Sequence, residues 1–295
     1  MISIESTHTK VLGGIYRYSL AGLVTLLIAL PLYVALTGGF KSLGLLQTSP
    51  FGVPIPLDTT QYARILSGAV GAFWIDLGNS LLVGILSVGI NLAICAAAAF
   101  ALARIRFRLS GAIYNYFLIG LLFPLDVAIL PLYLQLRTIG LVNTYWGVIL
   151  PQAAFQMPWN VVLLRGFFRS IPRDLEDAVA IDGYGPLGFF YYAVLPLSTP
   201  ILATVGIIAL VASWNNFFLP LLVFNDSAKF TLPMGVMDFM GQHGAKWNEI
   251  LAYLTLAAVP AIILFIVASV IRLTLLFSEI RDHLPTHSIK PQVRV

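Results

Sequence analysis

The sequence predicts an all-α, polytopic membrane protein with six transmembrane helices, and three observations carry that prediction. The chain of 295 residues is 59% hydrophobic and 10% charged, where an ordinary soluble domain carries about 25% charged residues; its mean hydropathy is +0.89. The apolar residues gather into six runs of the length a bilayer requires, about 20 residues each. Lys and Arg lie in the short connections between those runs rather than in one contiguous basic face, which excludes the composition of a nucleic-acid binder.

The runs follow in order. The first, roughly Ile15 to Leu36, comes after a polar stretch, Met1 to Lys10, and lacks a small-residue cleavage site after it, so it is expected to stay as an anchor. The connection from Gly38 to Asp76 contains Pro50, Pro54 and Pro56 and is too long for a tight turn; Gln61 to Leu66 within it reads as a short surface helix. The second run, Leu77 to Ala103, opens on Asn79-Ser-Leu, passes Asn91 and the tract Cys95-Ala-Ala-Ala-Ala-Phe100, and closes on a basic end. Small residues let helix backbones approach closely in lipid. Cys95 has no partner cysteine anywhere in the sequence, so an intrachain disulfide is excluded.

The third run, Ala112 to Leu136, holds Pro124, Asp126 and Pro131. An ionisable side chain at such depth faces the bundle interior or water, which makes Asp126 a candidate pathway residue; capping the break at Pro124 near the outer interface is the other reading. The fourth run, Trp146 to Leu164, follows the connection Gly140-Leu-Val-Asn-Thr and ends among Arg165, Arg169 and Arg173. The fifth, Leu197 to Phe224, carries Ser213-Trp-Asn-Asn-Phe. Amides inside an apolar run need partners, which are neighbouring helices, water or a polar ligand. Trp214, Asn215, Asn216 and, in the second run, Asn91 are the candidates for lining a pathway, with interhelical hydrogen bonding as the alternative. The sixth run spans Ile250 to Leu276, and a polar tail follows.

Orientation comes from the basic residues. With the N-terminus inside, Lys10, Arg17, Arg104, Arg106, Arg108, Arg165, Arg169, Arg173, Arg272, Arg281, Lys290 and Arg294 are internal, and Lys41, Arg64, Arg137, Lys229 and Lys246 external: twelve of the seventeen against five. Both termini are therefore expected in the cytoplasm. The resulting organisation is a cytoplasmic segment 1–14, a transmembrane domain 15–276 with a cytoplasmic loop at 165–196, and a cytoplasmic tail 277–295.

That loop is the most acidic part of the chain. Pro172 suits a helix start, Asp174, Glu176 and Asp177 complement the positive end of a helix dipole, and Gly183 can adopt the left-handed conformation that ends a helix. Leu175, Ala178, Val179 and Asp182 would share a face. Tyr184-Gly-Pro186 reads as a turn into an aromatic-rich return that reaches Leu195-Pro196.

Here the sequence resembles the coupling loop of ABC importer permeases. The pattern Glu-Glu-Ala-Ala, two residues, Asp-Gly-Ala and, about a dozen residues on, Leu-Pro falls on Glu176-Asp177-Ala178-Val179, Asp182-Gly183-Tyr184 and Leu195-Pro196, with Asp177, Val179 and Tyr184 as departures. Asn79-Ser-Leu, Ala101-Leu-Ala-Arg-Ile-Arg-Phe, Pro131-Leu-Tyr, Gly140-Leu-Val-Asn-Thr, Leu163-Leu-Arg, Trp214-Asn-Asn-Phe and Thr231-Leu-Pro, in that order, extend the likeness to the maltose-type branch of carbohydrate importer permeases over nearly the whole chain. Two departures lie elsewhere: Asn216 stands where the family usually has an acidic residue, and the basic-aromatic tail is missing.

The resemblance implies the type I importer permease fold in a prokaryotic inner membrane. It further implies a second homologous permease, two ATPase subunits that bind ATP and Mg, and an extracytoplasmic sugar-binding protein. Leu175, Glu176, Asp177, Ala178, Val179, Asp182 and Gly183 would dock on an ATPase, and Trp214 with Asn215 or Asn216 would hold a di- or oligosaccharide; glycerol phosphate or an amino sugar is the alternative cargo. Consistently, these residues contain no Gly-x-x-x-x-Gly-Lys-Ser/Thr phosphate loop, so the chain itself is expected to carry neither cofactor nor catalytic activity. An ion-coupled transporter would show internal repeats and paired broken helices, and an intramembrane enzyme would need a metal or nucleophile constellation; His8, His243, His283 and His287 all lie outside the six runs.

Overall fold

The structure, a computed structural model, describes residues 3–241 and 244–283; the tail beyond residue 283 lies outside the described residues. The helices in chain order are α1 (Ser3–Gly38), α2 (Leu43–Thr48), α3 (Thr60–Leu66), α4 (Phe73–Arg104), α5 (Ser110–Gly120), α6 (Leu125–Thr138), α7 (Trp146–Ser170), α8 (Arg173–Ile181), α9 (Pro186–Leu197), α10 (Thr199–Trp214), α11 (Phe218–Val223) and α12 (Trp247–His283). A two-residue antiparallel pairing, Met240–Gly241 with Gly244–Ala245, is the β-structure among the described residues. The fold is all-α, as predicted.

Among the described residues, four helices are long and apolar enough to cross a membrane: Tyr16–Gly38, Phe73–Arg104, Trp146–Ser170 and Trp247–Val267. The pair α9 and α10, bent by 74° between them, makes a fifth when taken as one span. The predicted third run is not one helix. It divides into α5, of 11 residues, and α6, of 14, each short of a full crossing. Pro124 causes the division: it sits in an extended conformation (φ −75°, ψ 128°) immediately before α6 and disfavours a helical residue ahead of it. The predicted fifth run is also shorter than expected, because α10 stops at Trp214 and α11 begins only at Phe218. Its bend falls at Ser198, flanked by Pro196 and Pro200, neither of which has an N–H for the helical ladder. Just upstream, Phe190–Val194 forms a π-helical turn closed by the Leu195 N–H to the Phe190 carbonyl.

The chain divides into two bodies. In the first, Met1–Trp74 with Gly235–Val259, the end of α1 packs tightly on the start of α12: a Cβ at Gly39 would stand 2.7 Å from the Ala252 Cα, and Thr255 Oγ1 donates to the Ala35 carbonyl at 3.1 Å. The fully buried Lys41 donates to the Ser49 and Pro50 carbonyls at 3.1 and 2.7 Å, which satisfies the end of α2. Arg64 of the expected surface helix pairs with the buried Glu249 at 2.7 Å.

In the second body, Ile75–Met234 with Pro260–Val295, one apolar cluster centres on Cys95, Ala99, Phe100, Val161, Leu164, Phe168, Phe189 and Val194. Cys95, Ala96 and Ala99 of the small-residue tract are buried there with Val161 and Leu164 of α7. A second cluster holds Val83, Val148, Ile149, Leu219 and Met234. Asn79 ties it together: its Nδ2 donates to the Ala228 and Phe230 carbonyls at 2.9 and 2.8 Å, and its Oδ1 accepts from Tyr145 Oη at 2.8 Å. Ser80 Oγ accepts from the Leu232 N–H at 2.8 Å. Two sequence motifs, Asn79-Ser-Leu and Thr231-Leu-Pro, are thus one structural joint.

Candidate functional site

The site is built where α4 and α7 end side by side. A helix leaves its last carbonyls without intrahelical partners, and here each helix supplies an arginine to the other. Arg104, the last residue of α4, donates through Nε and Nη2 to the Phe168 carbonyl at 3.0 and 2.7 Å, and through Nη2 to the Ile171 carbonyl. Arg165 of α7 returns the contact, its Nε donating to the Leu102 carbonyl at 3.2 Å while its guanidinium lies 3.6 Å over the Tyr114 ring. Cations at helix C-termini also complement the negative end of the helix dipole. The Arg104 side chain is only 6% exposed, and its guanidinium lies 5.7 Å from the Phe189 ring centre.

The same guanidinium reaches α8. Its Nη1 stands 3.5 Å from Glu176 Oε2, so one side chain joins the ends of both spans to the short surface helix. Helix α8 begins after Pro172 and carries Asp174 and Glu176 in its first turn. It ends in a complete Schellman motif: the Gly183 N–H bonds the Ala180 carbonyl at 3.0 Å and the Tyr184 N–H bonds the Val179 carbonyl at 3.1 Å. Gly183 has φ +85°, the left-handed conformation expected of it. A cleft of about 440 Å³ between α8 and the helix ends is lined by Arg104, Arg106, Arg169, Arg173, Glu176 and Asp177, among others.

The predicted docking residues divide between two sides of α8. Val179 packs on the apolar cluster of its own body and Glu176 turns to Arg104, whereas Leu175, Asp177, Ala178, Asp182 and Gly183 are exposed. The expected common face of Leu175, Ala178, Val179 and Asp182 therefore does not hold at Val179, because that apolar side chain goes to the larger buried surface beside it. Ile181, 86% exposed, is the apolar residue that the sequence reading missed. It lies seven positions after Asp174 and three after Ala178, on the outward face, and that spacing was the available signal.

The pathway candidates are scattered. Trp214 is 7% exposed and Asn215 exposed; with Leu210, Val211 and Phe265 they line an apolar groove of about 250 Å³. Asn216 Oδ1 accepts from the Leu219 N–H at 3.2 Å and so starts α11. Asn91 is fully buried and its amide is taken up by α7: Nδ2 donates to the Ala153 carbonyl at 2.7 Å and Oδ1 accepts from Asn160 Nδ2 at 2.5 Å. A neighbouring polar knot, found only in the structure, joins Ser213 Oγ and Ser87 Oγ to Gln152 Oε1 at 2.6 and 3.3 Å. Asp126 stands in the first turn of α6, but its side chain lies outside the described residues.

Apolar spans, polar knots between them and an amphipathic helix clamped across the ends of two spans define a membrane-embedded protein in which α8 turns Leu175, Ala178 and Ile181 outward. Residues 89–282 match the family described as binding-protein-dependent transport system inner membrane component, and the chain belongs to that family. It is 34% identical over 239 residues to the probable ABC transporter permease protein YurM of Bacillus subtilis, covering 81% of this chain and 79% of that one. It is 32% identical over 253 residues to the diacetylchitobiose uptake system permease protein NgcG of Streptomyces coelicolor, covering 85% and 83%. Its fold is similar to a chain in the crystal structure of a bacterial ABC transporter involved in the import of the acidic polysaccharide alginate, with a TM-score of 0.76 at 20% identity over 88% of this chain and 96% of that one. The protein is a multi-pass permease subunit of an ABC importer.

Proposed function

We propose that this permease forms half of the path for a di- or oligosaccharide and receives its drive through α8, which docks on a separate ATPase subunit. The observation that carries the reading is the clamp at Arg104: a displacement of α8 is delivered to the ends of α4 and α7 together, since one guanidinium holds all three. Leu175, Asp177, Ala178 and Ile181 form the outward docking face, Asp182 and Gly183 shape its exit, and Glu176 and Val179 seat the helix on its own chain. ATP and its Mg ion belong to the partner ATPase. Two ATPases closing on ATP would draw α8 and its counterpart in a second permease together, and the spans would pass from an inward-open to an outward-open state.

The sugar reading draws support from the relative named for diacetylchitobiose uptake and from Trp214 and Asn215 at the apolar groove, a ring and an amide of the kind that hold sugars by stacking and hydrogen bonding. Delivery by an extracytoplasmic binding protein and cytoplasmic placement of both termini complete the proposal. The test is purification of the tagged chain from detergent-solubilised native membrane. A second permease and a phosphate-loop ATPase should copurify, and Ile181→Asp should shed the ATPase while keeping the second permease. Recovery of the chain alone, in detergent that keeps other transporters intact, would sink the proposal. Uptake of labelled disaccharides by vesicles containing the complex checks the cargo; transport of none of them, with ATP hydrolysis intact, would rule sugars out.

A further inference from the structure

Beside the cleft under α8 lies a second cavity, of about 420 Å³, whose charged lining is entirely basic: Arg104, Arg106, Arg108, Arg165, Arg169 and Arg173. Arg104 and Arg165 are committed to helix-end carbonyls. The other four are exposed and, among the described residues, none is ion-paired. Arg106, Arg169 and Arg173 also line the neighbouring cleft with Glu176 and Asp177, but none of these contacts is an ion pair among the described residues, so an anion of matching geometry in the second cavity relieves the mutual repulsion of its guanidinium groups. Arg is the side chain best shaped for bidentate phosphate contacts.

The connector from α4 to α5 says what kind of anion. From residue 104 to 109 it alternates Arg104, Ile105, Arg106, Phe107, Arg108, Leu109, and Ile105 to Phe107 are outside any helix. Ile105 and Phe107 line the same cavity as Arg106 and Arg108, so the connector sets apolar side chains directly beside basic ones, and Leu109 follows in the turn that leads into α5. Ile105, Phe107 and Leu109 are all exposed large hydrophobics. Helices α4 and α7, both long and apolar enough to cross a membrane, end at this strip.

We propose that the cavity binds the phosphate of an anionic glycerophospholipid, its acyl chains running beside Ile105 and Phe107. A free phosphate would satisfy the arginines but leave Ile105, Phe107 and Leu109 in water. The site needs only a membrane-embedded chain, so it stands independently of the cargo and of the docking role of α8.

The test uses the full chain purified in mild detergent with its copurifying subunits, titrated with phosphatidylglycerol or phosphatidylcholine and read by native mass spectrometry. The variant R106Q/R108Q/R169Q removes charge while sparing both helix-end arginines, and an unchanged size-exclusion profile establishes that it is folded. Near a membrane surface each arginine contributes roughly fivefold in affinity, so the preference for phosphatidylglycerol should fall by about a hundredfold. Phe107→Ser should weaken both lipids, and inorganic phosphate at tens of millimolar should displace neither. An undiminished preference in the triple variant overturns the proposal. Displacement by inorganic phosphate assigns the cavity to a free anion instead, and loss of a protein subunit with lipid retention intact assigns it to a protein contact.

Discussion

Replacing Arg104 by Gln keeps a polar side chain of moderate length but removes the charge and the fork. A glutamine amide can reach one of the two carbonyls that Arg104 serves, so either Phe168 or Ile171, both buried, is left without its donor. Hydrogen bonds from a charged donor contribute about 1.5–3 kcal/mol each, and an orphaned buried carbonyl costs a similar amount. The expected loss is therefore about 3 kcal/mol. At roughly 2–4 °C per kcal/mol, the unfolding midpoint should drop by ~6–12 °C, measured by fluorescence-detected size exclusion of the solubilised protein after heating, with all variants on one protocol because such midpoints depend on rate. Glu176→Gln removes only the 3.5 Å contact to a carboxylate whose side chain is 39% exposed. Pairs that wet contribute about 0–1 kcal/mol, so its midpoint should move by less than ~4 °C. Arg104→Lys should fall between the two, since an ammonium lacks the fork. A wild-type midpoint for Arg104→Gln, or an equal loss for Glu176→Gln, would refute the clamp as the main joint.

Gly183→Ala meets no neighbouring atom, so its cost is the left-handed backbone alone, about 1–2 kcal/mol; uptake should fall while the protein still inserts, as judged by membrane yield. Asn91→Ala takes the acceptor from Asn160 Nδ2 and a second donor from the Ala153 carbonyl and should lower the midpoint by about 2–5 °C without changing the substrate concentration for half-maximal uptake; a shift in that concentration would return Asn91 to the pathway. Asp238, outside the spans, has its carboxyl pushed above the usual range by burial, opposed by a hydrogen bond from the Ala72 backbone. The folded protein then holds that proton to higher pH than the unfolded chain, so stability should decline as pH rises through the carboxylate range. Asp238→Asn should flatten that part of a midpoint-against-pH profile.

Local signals carried well from sequence to structure. Pro172, the acidic first turn and Gly183 delimit α8 because caps and dipole partners lie within a few residues of the helix they end. The basic ends of the second and fourth runs were visible too, but not their purpose: Arg104 meets carbonyls 64 and 67 residues away, and no local pattern encodes such a pairing. Hydropathy marked Ala112 to Leu136 as one run since it sums composition and is blind to the backbone of Pro124. It likewise could not tell a helix face turned to a pore from one turned to a neighbour, which is why Asn91 read as a pathway candidate. On α8 the difficulty was the opposite: a nine-residue helix with apolar residues on both sides offers two plausible faces, and only packing tells Val179 from Ile181.

The exchange of arginines between α4 and α7 also bears on how the chain is put together. During synthesis α4 enters the bilayer well before α7 exists, and until then Arg104 can be satisfied only by water and head groups at the interface. When α7 arrives, both exchanges form only if the two helices reach the same depth, because a slip of one turn, about 5.4 Å, carries each guanidinium past its carbonyl. The pair thus acts as a depth gauge: a helix inserted too deep or too shallow leaves two charges and several carbonyls unmatched at once.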